Sequence, residues 1–367
     1  MKEQNTIKGT RYRAQGTRGV LMLVSYLLKK FDPVKKIKQV GIITTCALLL
    51  APCAFTQDIH FSQFFEAPLW RNPSLAGIFT GDVRVQGVYR DQWNSVTNAY
   101  RTGSLNAEVK MPIGNNNDFV TAGMQVLFDR AGTIGWTSIH ALPALNYHKS
   151  LSSDKSKYLS LGFMGGIVQR RFDPSKVTTN TQYDNGGLGE TFANNQYLYA
   201  DGSVGMSYNS SFGQQENNFF LGAAFHHFTR PNESFYRNAN IELHPKWVFS
   251  GGIKLAVSDY AYLTIQADHS IQGGFNETVG GGMYGLKLGS DPDNPAYTLH
   301  AGGFLRWNDA LIPVIKIDYS PFSIAISYDV NISKLKPSSY GRGGFELSVS
   351  YTGFRNKTAD YLLCPKF

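Results

Sequence analysis

From residue 81 onward, apolar and polar side chains alternate along the chain again and again. In Phe345-Glu346-Leu347-Ser348-Val349-Ser350-Tyr351 every odd position is apolar and every even one polar. Phe322-Ser323-Ile324-Ala325-Ile326-Ser327-Tyr328-Asp329-Val330-Asn331-Ile332 repeats the pattern in the even register. Ala261, Leu263, Ile265 and Ala267 alternate in the same way with Tyr262, Thr264, Gln266 and Asp268. Successive side chains of a strand point to opposite faces, so each run predicts a strand with two chemically different faces. About fourteen such runs follow one another, centred near residues 87, 104, 124, 143, 164, 203, 224, 250, 265, 282, 301, 315, 326 and 347. No amphipathic helix of ordinary length separates them, which argues against a parallel sheet with helical crossovers.

The spacing narrows the architecture. Roughly 21 residues per strand and connection suits long tilted strands, whereas a soluble sandwich places its strands 8–12 residues apart. The connections also alternate in length. One set is short, as at Ile113 to Asn117, Ser152 to Ser156, Ser258-Asp259 and Ser320-Pro321. The other set holds Phe172 to Gln196, Pro231 to Leu243 and Ser333 to Arg342. Short turns at one end and long loops at the other are the habit of bacterial membrane barrels, which also have an even strand number. The fold expected for residues 81–353 is therefore all-β: a transmembrane up-and-down antiparallel β-barrel of about 14 strands, its long loops outside the cell.

Charge locates a leader and removes one class of function. The chain's net charge of +8 comes from its first 57 residues, which hold 10 of the 35 Lys/Arg and 2 of the 27 Asp/Glu. The remaining 25 basic and 25 acidic residues balance, so the electrostatic footprint of a nucleic-acid-binding protein is missing. Lys35, Lys36 and Lys38 precede the apolar run Val40 to Ala51, and small residues follow. That is the layout of a signal peptide, and the run is too short to cross a bilayer as a helix. Residues 1–56 are expected to be a leader, with Met22 as a second position at which translation could start. Cys46 and Cys53 fall within it, leaving Cys364 alone in the rest. One cysteine makes neither an intrachain disulfide nor a thiolate zinc site.

Between leader and first strand lies an aromatic block without alternation: Gln57-Asp58-Ile59-His60-Phe61-Ser62-Gln63-Phe64-Phe65, then Pro68-Leu69-Trp70 and Asn72-Pro73-Ser74-Leu75-Ala76-Gly77. The chain closes on Cys364-Pro365-Lys366-Phe367, and Asp129-Arg130-Ala131-Gly132 ends a strand. These three blocks together resemble the PorP/SprF family, outer-membrane components of the type IX secretion and gliding machinery of Bacteroidetes. Ile59 stands where the family often has Pro. The resemblance implies a non-enzymatic barrel, with no cofactor, in the bacterial outer membrane. It also implies partners: other type IX secretion components and a large secreted, adhesin-like protein that such barrels help to export or hold at the cell surface. The residues expected to matter are His60, Phe61, Ser62, Gln63, Phe64, Phe65, Trp70, Asn72 and Pro73 in the block at 57–80, and Cys364, Pro365 and Phe367 in the tail at 354–367. The block is expected to be a plug or latch packing its aromatics inside the barrel, or else a docking surface for a periplasmic partner. An outer-membrane solute channel of the same architecture is the competing reading.

Other constellations carry less. His226 and His227 are adjacent on an expected strand, so their rings should face opposite ways and cannot share a metal ion. Asp291-Pro292-Asp293-Asn294-Pro295 lacks the Gly and the closing Glu of a calcium loop. Asp184-Asn185-Gly186-Gly187 occurs once, whereas calcium-binding repeats act by stacking. No Gly-x-Ser-x-Gly elbow stands out, so no catalytic residue is assigned.

Overall fold

The computed structural model describes residues 58–354 apart from 95–99, 115–116, 155, 187–193, 214–216, 236–240 and 335. The leader at 1–56 and the tail beyond Phe354, with Cys364, Pro365 and Phe367, lie outside the described residues. Fourteen antiparallel strands close into a barrel, each bonded to its sequence neighbours and β1 bonded to β14. In chain order they are β1 (Val83–Gln92), β2 (Tyr100–Ile113), β3 (Asp118–Ala131), β4 (Trp136–Ser150), β5 (Lys157–Arg171), β6 (Gln196–Phe212) and β7 (Asn217–His226). The second half comprises β8 (Lys246–Ser258), β9 (Ala261–Gln272), β10 (Phe275–Leu288), β11 (Tyr297–Arg306), β12 (Ala310–Tyr319), β13 (Phe322–Asn331) and β14 (Arg342–Gly353). The closing seam runs from Val83 opposite Gly353 to Gln92 opposite Gly344. Each expected strand centre falls inside one observed strand.

Alternation becomes a wall with a lipid side and a lumen side. On β13, Phe322, Ile324, Ile326, Tyr328 and Val330 are exposed, whereas Ala325, Ser327, Asp329 and Asn331 are buried. On β14, Phe345, Val349 and Tyr351 point out, and Glu346, Ser348 and Ser350 point in. The outward set is apolar because no water is there to solvate polar groups, and closure leaves no strand edge unpaired. Aromatic contacts lie near both rims: Trp93 meets Tyr100 edge-on at one, and at the other Tyr297 stacks on Tyr319 and Phe322 meets Tyr351 edge-on. The latter rim carries the connections 114–117, 151–156, 213–216, 259–260, 289–296 and 320–321, and we call it the short-turn end. The opposite, long-loop end carries 172–195, 227–245 and 332–341.

The lipid face yields a depth-dependent prediction. Ile326→Arg, in the middle of β13, should destabilise the barrel by about 2–4 kcal/mol, and Ile332→Arg, beyond the strand's end, by about 0–1 kcal/mol. Urea titration of the barrel folded into lipid vesicles measures both. Equal costs would mean that β13 does not cross the bilayer where its register places it.

Candidate functional site

The lumen is occupied by the chain's own residues 58–79. Asp58 sits at the long-loop end, where its backbone N–H donates to Gln272 Oε1 on β9 (3.0 Å). Twenty residues on, Gly77 and Phe79 lie near the short-turn end, against Glu108 and Lys110 of β2. The segment thus descends the lumen before β1 begins. Its regular structure is confined to helical turns at Phe64–Glu66 and Pro73–Leu75 and one short helix, α1 (Pro68–Arg71). The turn at Pro73 follows from sequence: Asn72 Oδ1 accepts from the Ser74 backbone N–H (2.9 Å), and Pro73 supplies a preset φ where no N–H is needed.

Wall carboxylates receive the segment's backbone. The fully buried Glu346 accepts from the Ser62 and Gln63 N–H groups, one on each oxygen, at 2.7 Å. Its charge is balanced by Arg90 on β1, whose Nη1 lies 2.6 Å away and whose Nη2 reaches Asp329 at 3.1 Å. Gln63 Nε2 also donates to Ser327 Oγ and to the Glu346 carbonyl, both at 3.0 Å. Arg306 on β11 donates to Ser62 Oγ and to Asp309 and Asp329. Near the other end, the buried Glu108 accepts from the Gly77 N–H (2.7 Å) and from Arg84 (2.8 Å).

The segment supplies charges in return. Arg71 Nε lies 2.8 and 2.7 Å from the two oxygens of Asp268, and its Nη1 donates to Gln266 (2.8 Å). Its guanidinium also lies over the rings of Phe64 and Phe220, at 4.8 and 5.0 Å. Glu66 pairs with Lys316 (2.7 Å) and accepts from Gln86. At the long-loop end Asp58 Oδ2 faces His227 Nε2 (3.3 Å) and Lys246 Nζ (3.5 Å), and His227 Nδ1 faces Asp201 (2.7 Å). Burial alone would raise the Asp58 carboxyl, but Lys246 and His227 outweigh it and hold it far below the carboxylate range. Burial likewise disfavours a charged His227, yet hydrogen bonds to Asp201 and Asp58 raise it to about 9.

Each sequence-selected residue of the block has a place here. Phe61 and Phe64 are buried, and Phe64 meets Phe304 edge-on at 5.4 Å. Phe65 stacks on Phe304 at 5.1 Å, and Trp70 donates to the Ile59 carbonyl (2.9 Å) while meeting His140 edge-on. His60 lies 3.7 Å from Glu277, at the edge of the cluster. Asn72 and Pro73 fit against the wall only because Gly162, Gly205 and Gly222 carry no side chain. A Cβ at Gly162 would strike the Pro73 backbone, and one at Gly205 the Asn72 amide. Gly162 and Gly205 are cross-strand partners on β5 and β6, and sequence reading passed over all three glycines.

Sequence reading also missed the charged partners Asp58, Glu66, Arg71, Arg90, Asp268, Arg306 and Glu346. Their signal was present, since a charge at a lumen-facing strand position calls for a counter-charge. One expectation is corrected. His226 and His227 do not face opposite ways, because His227 lies past the end of β7 with φ +56°, and both rings turn inward. His226 bonds Ser203 and faces the Arg71 carbonyl, and His227 bonds Asp201 and Asp58. Among the described residues, no group of three His, Cys, Asp or Glu is placed to hold a metal ion. Below the segment, a cavity of about 420 Å³ reaches the short-turn end.

The model of a family described as type IX secretion system membrane protein PorP/SprF matches residues 54–351. No curated protein matches the sequence significantly. Among solved structures, the Ralstonia pickettii toluene transporter TbuX is 8% identical, with 79% of this chain and 94% of that one covered and a TM-score of 0.46. CdiB from Acinetobacter baumannii is also 8% identical, with a TM-score of 0.42. That match takes in 74% of this chain, which spans about 60% of the CdiB chain.

Two outcomes follow from the lumenal contacts. Glu346→Ala removes the acceptor of two backbone N–H groups and a partner of Arg90, so it should cost about 3–5 kcal/mol, the range for breaking a buried pair. Denaturant titration in detergent reads this; a cost under about 1 kcal/mol, as for an exposed pair, would refute the role given to Glu346. The second outcome is a pH dependence. His227 is raised on folding from 6.5 to about 9, so its stabilisation is complete below pH 6.5 and disappears as pH rises through 9. Protease cleavage between Asp58 and Trp70 should therefore increase toward alkaline pH in the wild type, and His227→Ala should flatten that dependence. An unchanged pH profile in the variant would remove His227 as its source.

Proposed function

The chain belongs to the PorP/SprF family of type IX secretion system membrane proteins, and on that footing we propose that it is a non-enzymatic outer-membrane barrel that assists the export or surface attachment of a large secreted, adhesin-like protein. Residues 58–79 are its plug, and His60 to Pro73 act by closing the lumen. The long loops face outward and form the partner surface. The observation that supports this reading is the continuous run of buried bonds from Asp58 to Gly77, which leaves the barrel's two ends, and not its interior, available to other molecules.

A solute channel needs a continuous passage, and the packed segment counts against one. Catalysis finds no support in the family or in the fold. The partners expected on this reading are other type IX secretion components and the secreted protein itself.

The test is purification of the tagged, full-length barrel from detergent-solubilised outer membranes, combined with conductance of the same preparation in planar bilayers. The expected result is co-purification of a large secreted protein or of secretion components, with no sustained large conductance. A barrel that purifies alone and conducts steadily would replace this reading with the channel.

A further inference from the structure

The cavity at the short-turn end has one wall made by the last residues of the barrel. Phe354, Thr352 and Ser350 line it, so the chain leaves β14 at the mouth of the cavity. Its floor is apolar: Phe65, Ile78 and Phe79 of the lumenal segment with Phe220 and Met283 of the wall. Its sides carry paired charges, with Lys316 bonded to Glu66 and 3.8 Å from Asp318, and with Lys254 lying 4.1 Å from the Tyr262 ring. A volume of about 420 Å³ lies within the range of sites that enclose a small organic ligand, about 300–1,000 Å³, and so has room for a few side chains.

Immediately beyond Phe354 the sequence continues Arg355-Asn356-Lys357-Thr358-Ala359-Asp360-Tyr361-Leu362-Leu363-Cys364-Pro365-Lys366-Phe367. Six residues separate Phe354 from Tyr361, and the seven steps between them span at most about 25 Å when extended, enough to turn back across the mouth. The apolar triplet Tyr361-Leu362-Leu363 matches the floor. We propose that residues 361–363 of the chain's own C-terminal tail fold back into this cavity, with Tyr361, Leu362 and Leu363 against Phe79, Phe220 and Met283. The barrel is then filled by its own chain from both sides of the sequence. The lumenal segment enters before β1, and the tail after β14. This inference concerns contacts within one chain and stands apart from the assignment of the secreted partner.

Cys364 is a built-in probe, one residue beyond the triplet. Thr264 lines the cavity from β9, and Ser152 lies at the same end of the barrel on the β4–β5 turn, outside the cavity lining. In isolated outer membranes, full-length chain carrying Thr264→Cys is treated with a short bis-maleimide and the joined peptides are identified by mass spectrometry. The expected product is an intrachain link between position 264 and Cys364, with little linking from Ser152→Cys. Adding Leu362→Asp and Leu363→Asp should reduce that link about tenfold and raise maleimide labelling of the thiol introduced at position 264 by a similar factor. Free labelling of that thiol without a link would overturn the proposal and leave the cavity empty. A link from it to a separate polypeptide would make the occupant a partner and refute the tail as its occupant. Equal linking from Ser152→Cys would mean that the tail has no fixed seat.

Discussion

Because one side of a membrane barrel's wall must be apolar, the strongly polar side chains along the middle of its strands are directed into the lumen, and exposed ones such as Arg101, Arg130, Lys149 and Lys157 lie near strand ends. Arg90, Glu108, Arg306, Asp329 and Glu346 are all nearly inaccessible to solvent. Burying an unpaired charge costs several kcal/mol, so each must find a partner of opposite sign or a hydrogen-bonding group within reach. The wall alone meets part of that demand, as Arg90 does with Asp329 and Glu346. The rest is met by residues 58–79, whose backbone and side chains bond to the wall from one end of the lumen to the other.

This explains why that segment has so little regular secondary structure. The N–H groups of Ser62, Gln63 and Gly77 are bonded to wall carboxylates and so are not available to a continuous helix. Only short turns are compatible with such contacts, and Pro68 and Pro73 begin two of the helical pieces. The aromatics then fill the space between polar anchors. Phe64, Phe65 and Phe304 form one cluster, and Trp70 with His140 borders another. Arg71 belongs to both kinds of contact, since it is ion-paired to Asp268 and flanked by two phenylalanine rings.

A barrel filled in this way has two unlike ends. At the long-loop end, Asp58 is held among His227, Lys246 and Gln272. At the short-turn end a cavity remains, with an apolar floor supplied largely by the lumenal segment.

The strands, their number, their faces and the alternation of short and long connections were legible in the sequence, because a period of two is a local property of neighbouring residues. The aromatic block was legible as something other than a strand for the same reason. What it packs against was not, and the two readings of Phe61, Phe64, Phe65 and Trp70 as buried or partner-facing used identical residues. The place of those side chains rests on contacts such as Ser62 with Glu346, which are 284 residues apart in the chain. Such pairs exist only once β1 has closed on β14 and the register of every intervening strand is set. Likewise the positive φ at His227, which turns a second histidine inward, and the bare glycines opposite Asn72 and Pro73 mean nothing until the opposing surface is in place. Sequence therefore determined the wall, whose alternation answers to lipid everywhere alike, and only tertiary structure decided the interior, where each charge answers to one particular neighbour.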